Sequence, residues 1–422
     1  MNIYEIMMII VFVVGYFLIT IEHKININKT SIALIMAIIC WSLQFANVKL
    51  THEENMGYLN EHIANVSQVI FFLLGALTIV EIINSHKGFK IISDAINIRS
   101  KQKLLWIVGI LTFFLSSILD NLTTTIIMVT LMSKLIQKGE ERLLMGGAIV
   151  IAANAGGAWT PIGDVTTTML WIGNQLSTFA IVRDLFLPSV ICFVFATVII
   201  GFGLKGNFDE EFPKGSKQEI EPMGRIIFWL GIGCLIAVPV FKALTGLPPF
   251  MGIIFGMGLM WLVTDIVHRK YNDRDHLRVP YVITRIDNTG VLFFLGILLT
   301  IDALATAGIL LQLANWMDQT LGNTNIIAIV IGLFSAVVDN VPLVAASMGM
   351  YDLTRFPTDS HFWQMIAYCA GTGGSILVIG SAAGVAFMGL EKVEFFWYFR
   401  RVGVPALVGY FAGIAVYLLL HN

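Results

Sequence analysis

Hydrophobic residues fill long stretches of the chain, and polar residues collect between these stretches. The apolar runs are near the ~20 residues that a helix needs to cross the hydrocarbon core of a membrane. Two apolar segments, 104–133 and 326–350, each carry an Asp-Asn pair near the middle. The other runs predict ten membrane spans, at about 5–21, 31–48, 66–84, 144–176, 184–203, 226–245, 248–267, 288–303, 362–390 and 402–420. This pattern is typical of an all-α polytopic membrane protein.

Composition agrees with that interpretation. Of the 422 residues, 57% are hydrophobic and only 13% are charged, whereas soluble domains carry about 25% charged residues. The first apolar run has no basic flank before it and no small-residue cleavage site after it, so we expect a retained span rather than a signal peptide. The four cysteines lie in apolar runs without CxxC spacing, which predicts packing roles rather than redox or metal chemistry.

Basic residues predict the orientation of the chain in the membrane. If 104–133 and 326–350 are hairpins that enter and leave on one side, 22 of the 26 Lys and Arg residues fall on the same side. The positive-inside rule makes this side cytoplasmic and places the N-terminus outside. A crossing at 104–133 would put its basic flanks, 85–103 and 134–143, on opposite sides. The sequence therefore predicts two re-entrant hairpins in addition to the ten spans.

The two halves of the chain resemble each other. "FSAVVDNVPLVAASM" (334–348) matches "LSSILDNLTTTIIMV" (115–129), and "AGTGGSILVIGS" (370–381) matches "ANAGGAWTPIGD" (153–164). Each half has five spans, an odd number, so the second half enters the membrane from the opposite side. This is the inverted-topology repeat of many secondary transporters. The predicted units are a first repeat at 1–203, a cytoplasmic linker at 204–225 and a second repeat at 226–422.

The long spans 144–176 and 362–390 predict broken helices. A straight helix over 144–176 would measure about 50 Å, well above the ~30 Å hydrocarbon core. Glycine pairs and Pro161 offer places where these helices unwind. Carboxylate, amide, hydroxyl and freed carbonyl oxygens suit a hard cation. The candidate ligands are Asp120, Asn121, Thr124, Asn154, Thr160, Asp164, Thr166 and Thr167 in the first half, and Asp339, Asn340, Thr372, Ser375 and Ser381 in the second.

With these residues identified, the paired Asp-Asn hairpins and "ANAGGAWTPIGDVTTTMLW" (153–171) resemble NhaD-type sodium/proton antiporters of the ion transporter superfamily. The resemblance implies a homodimer in which a transport domain moves like an elevator against a scaffold. It also implies that Asp120 and Asp339 stand where the dicarboxylate branch has serine, a change that favours cations over carboxylate substrates. "VEIINSH" (80–86) resembles the family as well, which makes Glu81 and His86 candidates for proton access or pH response.

These observations predict a secondary transporter, not an enzyme, that exchanges cytoplasmic Na⁺ or Li⁺ for external H⁺ by alternating access. Asp120, Asn121, Asp164, Asp339 and Asn340 are the expected Na⁺ ligands. Only the sodium-loaded or protonated site should cross easily, because an uncompensated carboxylate is costly in hydrocarbon. We expect location in the inner (plasma) membrane, a role in pH homeostasis, no resident cofactor and no nucleic-acid partner.

Several alternatives compete with this function. An anion transporter of the same superfamily, for dicarboxylate or arsenite, would share the fold. An intramembrane aspartyl protease would need a glycine where Pro161 stands and a second carboxylate motif, and a channel would not need paired broken helices. For single residues, Asp120, Asp339 and Asp164 could act as helix or turn caps. Glu81 could lie at the membrane edge, and His86 could be an ordinary loop residue.

Overall fold

The computed structural model describes residues 1–91, 100–204, 206–208 and 220–421, which fold into helices and connecting turns. Within these ranges the one β-type pairing is an isolated bridge between Ser100 and Asn207. The first half contains α1 (Ile3–Thr20), α2 (Lys29–Ala46), α3 (His52–Ser85), α4 (Lys101–Ser116), α5 (Asn121–Leu135), α6 (Glu140–Gly157), α7 (Val165–Ile172) and α8 (Thr178–Gly201).

The second half repeats this order with one addition. It contains α9 (Gly224–Thr245), α10 (Pro249–His268), α11 (Asn288–Thr306), α12 (Ile309–Leu321), α13 (Thr324–Phe334), α14 (Asn340–Met350), α15 (His361–Gly373), α16 (Ala382–Glu391) and α17 (Val404–Leu420). A short helix (Phe395–Tyr398) and a π-turn (Phe399–Gly403) lead into α17, and other short helical turns lie at Glu22–Ile25, Asn272–Leu277, Val279–Val282 and Ile283–Arg285.

The predicted spans correspond to observed helices. In the described ranges eight helical segments are long and apolar enough to cross a membrane: α1, α2, α3, α8, α9, α10, α11 and Phe395–Leu420. The other two predicted spans, 144–176 and 362–390, are the interrupted pairs α6–α7 and α15–α16. The chain is therefore a multi-pass, all-α membrane protein, as the apolar pattern predicts.

Two features differ from the sequence-based expectation. Helix α3 begins at His52 rather than near residue 66, because Thr51 and Glu54 form a capping box that starts the helix before its apolar part. Helix α12 was not predicted. It is flanked by Gly308 (φ 77°) and Gly322 (φ 64°), whose left-handed backbone suits glycine and separates this short amphipathic helix from its neighbours.

Both predicted hairpins have their two ends close together. Lys101, at the start of α4, forms a 2.6 Å ion pair with Glu141, which follows the end of α5. In the second half Asp318, before α13, forms a 2.7 Å ion pair with Arg355, which follows α14. Each arm has 11 to 16 residues, which is shorter than the ~20 residues of a full crossing. The ends of each predicted hairpin therefore lie close together and its arms are short, and entry and exit on one side of the membrane stays a prediction.

The same serine contact fastens each hairpin to its broken helix. The hydroxyl of Ser116 donates to the carbonyl oxygen of Ala153 at 2.6 Å, and that of Ser335 donates to the carbonyl oxygen of Ala370 at 2.8 Å. The halves also cross, because α5 packs on α16 while α14 packs on α7. Hairpins and broken helices of both halves thus form one packed group of helices.

Two predicted connections fall partly outside the described residues. These are residues 92–99 of the basic flank 85–103, and residues 205 and 209–219 of the predicted linker 204–225. Lys87 forms a 2.6 Å ion pair with Glu221 at the described end of the linker. The division of the chain at 204–225 stays a prediction.

Candidate cation-binding site

The two broken helices restart at side chains that cap them. Asp164 precedes α7, and its Oδ1 accepts a 3.0 Å hydrogen bond from the backbone N–H of Thr166. Ser381 holds the equivalent place before α16, where its hydroxyl oxygen accepts from the N–H of Gly384 at 3.2 Å. The predicted capping role of Asp164 is thus real, but it uses only one of the two carboxylate oxygens.

The second oxygen of Asp164 joins both hairpins. Asp164 Oδ2 accepts a 2.9 Å hydrogen bond from Asn121 Nδ2 and a 3.1 Å hydrogen bond from Asn340 Nδ2. Asn121 begins α5 and Asn340 begins α14, so each hairpin tip supplies one amide to the same carboxylate. Asp164 is 1% exposed. A carboxylate this deeply buried in a membrane protein is a functional-site candidate by default.

Asn154 connects this carboxylate group to the second half. Its Oδ1 accepts from Asn121 Nδ2 at 3.0 Å. Its Nδ2 donates to the hydroxyls of Ser375 at 2.8 Å and Ser381 at 2.9 Å. The structure therefore joins six predicted residues into one buried network, which we call the central network: Asn121, Asn154, Asp164, Asn340, Ser375 and Ser381.

The two hairpin aspartates lie beside this network and bind other groups. Asp120 accepts hydrogen bonds from the backbone N–H of Thr123 at 2.7 Å and from its hydroxyl at 2.8 Å. Its φ of 132° is unusual for a residue with a side chain and marks a strained turn. Asp339 accepts a 3.4 Å hydrogen bond from the N–H of Val341 and lies 4.0 Å from Lys29 Nζ. Both aspartates cap their half-helices, as the capping interpretation expected.

The predicted hydroxyls divide into two groups. Thr160, Thr167 and Thr372 donate to backbone carbonyl oxygens at 2.6 to 2.9 Å. Thr124 and Thr166 are fully buried, and their hydroxyl oxygens have no hydrogen-bond partner within the described part of the chain. A buried polar atom without a partner costs about 1–3 kcal/mol. Of the two, Thr166 contacts the site, because its backbone N–H donates to Asp164, so its hydroxyl oxygen is suited to a ligand that binds there.

Glu81 and His86 lie at the end of α3 and contact other residues. Glu81 accepts hydrogen bonds from Asn84 at 3.0 Å and Ser85 at 3.3 Å, both on its own helix. His86 Nε2 lies 3.0 Å from Nε2 of His268, and its Nδ1 lies 2.8 Å from the carbonyl oxygen of Ile82. These contacts do not include the central network, so the roles in proton access or pH response stay predictions.

The donor set of the central network suits an alkali cation. It offers one carboxylate with amide and hydroxyl oxygens, which are hard ligands. Among the described residues no group of three or more His, Cys, Asp or Glu side chains could hold a metal ion. An asparagine presents either N–H donors or an oxygen by rotating its amide. The same asparagines can therefore stabilise an empty carboxylate or face a bound cation.

Sequence reasoning missed three residues around the site. Ser116 and Ser335 stand four residues before Asp120 and Asp339, so the repeat itself carried a signal for their shared contact. Lys29 lies in a predicted cytoplasmic loop, and no local pattern connects it with the second hairpin.

Comparisons with known proteins agree over nearly the whole chain. The profile of the CitMHS citrate transporter family matches residues 16–358. Arabidopsis thaliana "Sodium/proton antiporter 1" is 54% identical over 420 residues, which cover 99% of this chain and 73% of that protein. "Sodium/proton antiporter 2" of the same plant is 50% identical over 98% of this chain and 99% of its own length. "Na(+)/H(+) antiporter NhaD" of Alkalimonas amylolytica is 30% identical, covering 98% of this chain and 90% of the relative.

Proposed function

Because the chain belongs to the CitMHS citrate transporter family, and within it to the NhaD-type antiporters, we propose that it exchanges cytoplasmic Na⁺ or Li⁺ for external H⁺. Its family is one of transporters rather than enzymes. The observation that carries the proposal is the carboxylate of Asp164, buried at the meeting point of both hairpins and both broken helices. Relatives named as sodium/proton antiporters support the choice of cargo.

Competition for one carboxylate explains the exchange. Na⁺ bound at Asp164 would draw oxygens from Asn121, Asn340 and the unpartnered hydroxyl of Thr166. When Na⁺ leaves, a proton can neutralise the same carboxylate. Either cation cancels the charge that makes an empty site costly to move through the membrane. Because Na⁺ and H⁺ exclude each other there, the movement of one is coupled to the opposite movement of the other.

The packing supports an elevator movement as the means of alternating access. The contacts from Ser116 and Ser335 fasten each hairpin to its broken helix, and Asp164 fastens the two halves together. This group, α4–α7 with α13–α16, can move as one body. Helices α1 to α3 pack with α10 and α11 and would serve as the scaffold. By family analogy we propose a homodimer through this scaffold.

We further propose the orientation that the basic residues predict, with the N-terminus outside and location in the inner (plasma) membrane. In that orientation the first hairpin opens to the cytoplasm and the second to the outside. The central network then lies between two hairpins that approach it from opposite sides, which is the arrangement that alternating access needs.

Transport of an organic anion is the second candidate, because the matching family is described as a citrate transporter. The central network argues against it. A carboxylate substrate would meet the buried carboxylate of Asp164, with those of Asp120 and Asp339 on the adjoining turns. Like charges repel strongly where water is scarce. Uptake of radiolabelled citrate and succinate into vesicles separates the two functions.

The deciding experiment is cation-induced dequenching of a ΔpH-sensitive dye in everted membrane vesicles. We expect Na⁺ and Li⁺ to collapse the proton gradient in vesicles with the protein, and K⁺ to have little effect. Vesicles from cells without the protein control for the host's own antiporters. Citrate or succinate accumulation without any Na⁺-dependent dequenching would overturn the proposal in favour of the anion transporter.

A further inference from the structure

We propose that Lys29 is a built-in counter-cation for Asp339, and that Na⁺ must displace its ammonium group to bind beside this hairpin tip. The inference rests on the proposed Na⁺/H⁺ exchange, since it gives Asp339 a part in holding the cargo. Lys29 Nζ lies 4.0 Å from Asp339 Oδ2. The same ammonium lies 4.5 Å from the centroid of the Phe293 ring.

The repeat explains why Asp339 needs a partner from elsewhere. In the first hairpin, Thr123 satisfies Asp120 with both its backbone N–H and its hydroxyl. The position three residues after Asp339 is Pro342, which has neither group. Among the described residues, the hydrogen bond to the Asp339 carboxylate is a long 3.4 Å contact from the N–H of Val341. One proline in place of a threonine therefore leaves this carboxylate open to a cation.

Lys29 is fixed on the other group of helices. It is the first residue of α2, and its backbone N–H donates to Glu22 Oε2 at 3.1 Å. The next residue, Thr30, donates its hydroxyl to the carbonyl oxygen of Thr289 at 2.8 Å, which joins α2 to α11. The ring of Phe293, also on α11, adds a cation–π contact beneath the ammonium. A scaffold lysine thus faces an aspartate of the hairpin group.

This arrangement gives the protein a cation that competes with its cargo. Opposite charges at 4 Å attract strongly where water is partly excluded, and Lys29 and Asp339 are 26% and 17% exposed. The ammonium neutralises Asp339 when no Na⁺ is present. Lys29 is on the scaffold and does not move with the hairpin. The Lys29–Asp339 contact therefore forms only when the hairpin has the position seen in this structure. Na⁺ arriving from the side of Lys29 must break the contact before it binds Asp339.

Removing the ammonium should therefore tighten Na⁺ binding. For Lys29→Gln we expect the Na⁺ concentration that gives half-maximal exchange to fall about tenfold, equivalent to about 1.4 kcal/mol. Lys29→Arg keeps the positive charge and should stay within about twofold of the parent on the same scale. A misfolded variant would not bind Na⁺ more tightly, so this result cannot come from loss of folding.

The test is a Na⁺ titration of dye dequenching in everted vesicles, where the predicted cytoplasmic side faces the medium. Lys49→Gln is the matched control, because Lys49 follows the other end of α2 and pairs with Glu5 rather than with the site.

In an Asp339→Asn background, Lys29→Gln should cause no further change in half-maximal Na⁺. Phe293→Leu removes the supporting ring and should shift half-maximal Na⁺ in the same direction, by about threefold.

Unchanged half-maximal Na⁺ in both Lys29→Gln and Phe293→Leu would overturn the counter-cation role while leaving the exchange itself intact. The counter-cation role would also be overturned if Lys29→Gln shifted half-maximal Na⁺ equally in the parent and in the Asp339→Asn background. The effect of Lys29 would then not depend on the Asp339 carboxylate. Absence of Na⁺-dependent dequenching in the parent protein would instead count against the proposed function. The two failures are therefore distinguishable.

Discussion

Asn340 donates a 3.1 Å hydrogen bond to the carboxylate of Asp164, although 176 residues separate the two in sequence. Asn121, from the other hairpin, donates to the same oxygen at 2.9 Å. The two halves of the repeat therefore meet at a single carboxylate. The paired asparagines reach that centre, while the aspartates beside them cap their own half-helices.

This relationship predicts different outcomes for two substitutions of Asn121. Asn121→Asp places a second carboxylate beside Asp164, and two carboxylates so close tend to retain one proton between them. We expect exchange to be weak at neutral pH and to recover at higher pH, once the pair can ionise and bind Na⁺. Asn121→Ala supplies neither donor nor ligand and should stay weak at every pH. Dye dequenching measured at several pH values checks this, and identical pH profiles for the two variants would contradict it.

In each half, a glycine of the broken helix packs against the backbone of the neighbouring hairpin arm. Replacing either glycine with alanine should therefore destabilise the protein. A Cβ on Gly156 would lie 2.1 Å from the carbonyl oxygen of Phe113, and one on Gly373 would lie 2.1 Å from that of Gly332. Backbone atoms cannot move aside cheaply, so each Gly→Ala change should cost about 3 kcal/mol or more.

The measurement is the thermal unfolding midpoint of each purified variant in detergent. Gly258→Ala is the control, because this helical, exposed glycine has open space around it and alanine is the better helix former by about 0.5–1 kcal/mol. Midpoints that stay at the parent value for Gly156→Ala and Gly373→Ala would show that the close packing at the breaks is absent.

The ion pair between Lys101 and Glu141 predicts the topology of the first hairpin. Single cysteines introduced at Lys101 and Lys138 should both react with a membrane-impermeant maleimide from the cytoplasmic side. The native cysteines are all buried, so their background should be low. Reaction of either introduced cysteine from outside would mean that the segment crosses the membrane and that the inverted repeat is wrong.

The unpartnered hydroxyl of Thr166 predicts a selective effect on Na⁺ affinity. Thr166→Val keeps the shape of the side chain and removes the oxygen, so half-maximal Na⁺ should rise several-fold, roughly 3- to 10-fold or about 1 kcal/mol. Thr166→Ser keeps the oxygen and should remain near the parent. A Na⁺ titration of exchange compares the two, and equal values would assign Thr166 to packing alone.

Much of this architecture follows from local sequence. The glycine pairs and Pro161 locate the helix breaks, and the repeated Asp-Asn pairs locate the hairpin tips. The alignment of Asp164 with Ser381 also anticipates the asymmetry of the site, since both cap the restarted helices and only one is charged.

The rest depends on contacts between distant elements. Asp120 and Asn121 are neighbours in sequence, and which of them points to the centre depends on the turn and on the packing of α5 against α6 and α16. Lys29 meets Asp339 only because α2 packs against α11, which positions it beside the second hairpin. No periodicity or motif in either segment carries that information.

The central claim is that Asp164 is the carboxylate for which Na⁺ and H⁺ compete. The most direct measurement is Na⁺-driven proton movement in proteoliposomes containing purified parent protein or Asp164→Asn. Asp275→Asn, at an exposed surface position, serves as the control. We predict that Asp164→Asn remains folded and elutes at the volume of the parent protein on gel filtration but needs about 100-fold more Na⁺ or shows no exchange, a difference of at least about 2.8 kcal/mol. Exchange by Asp164→Asn at the parent rate, Na⁺ affinity and pH range would contradict the claim and reduce Asp164 to a helix cap.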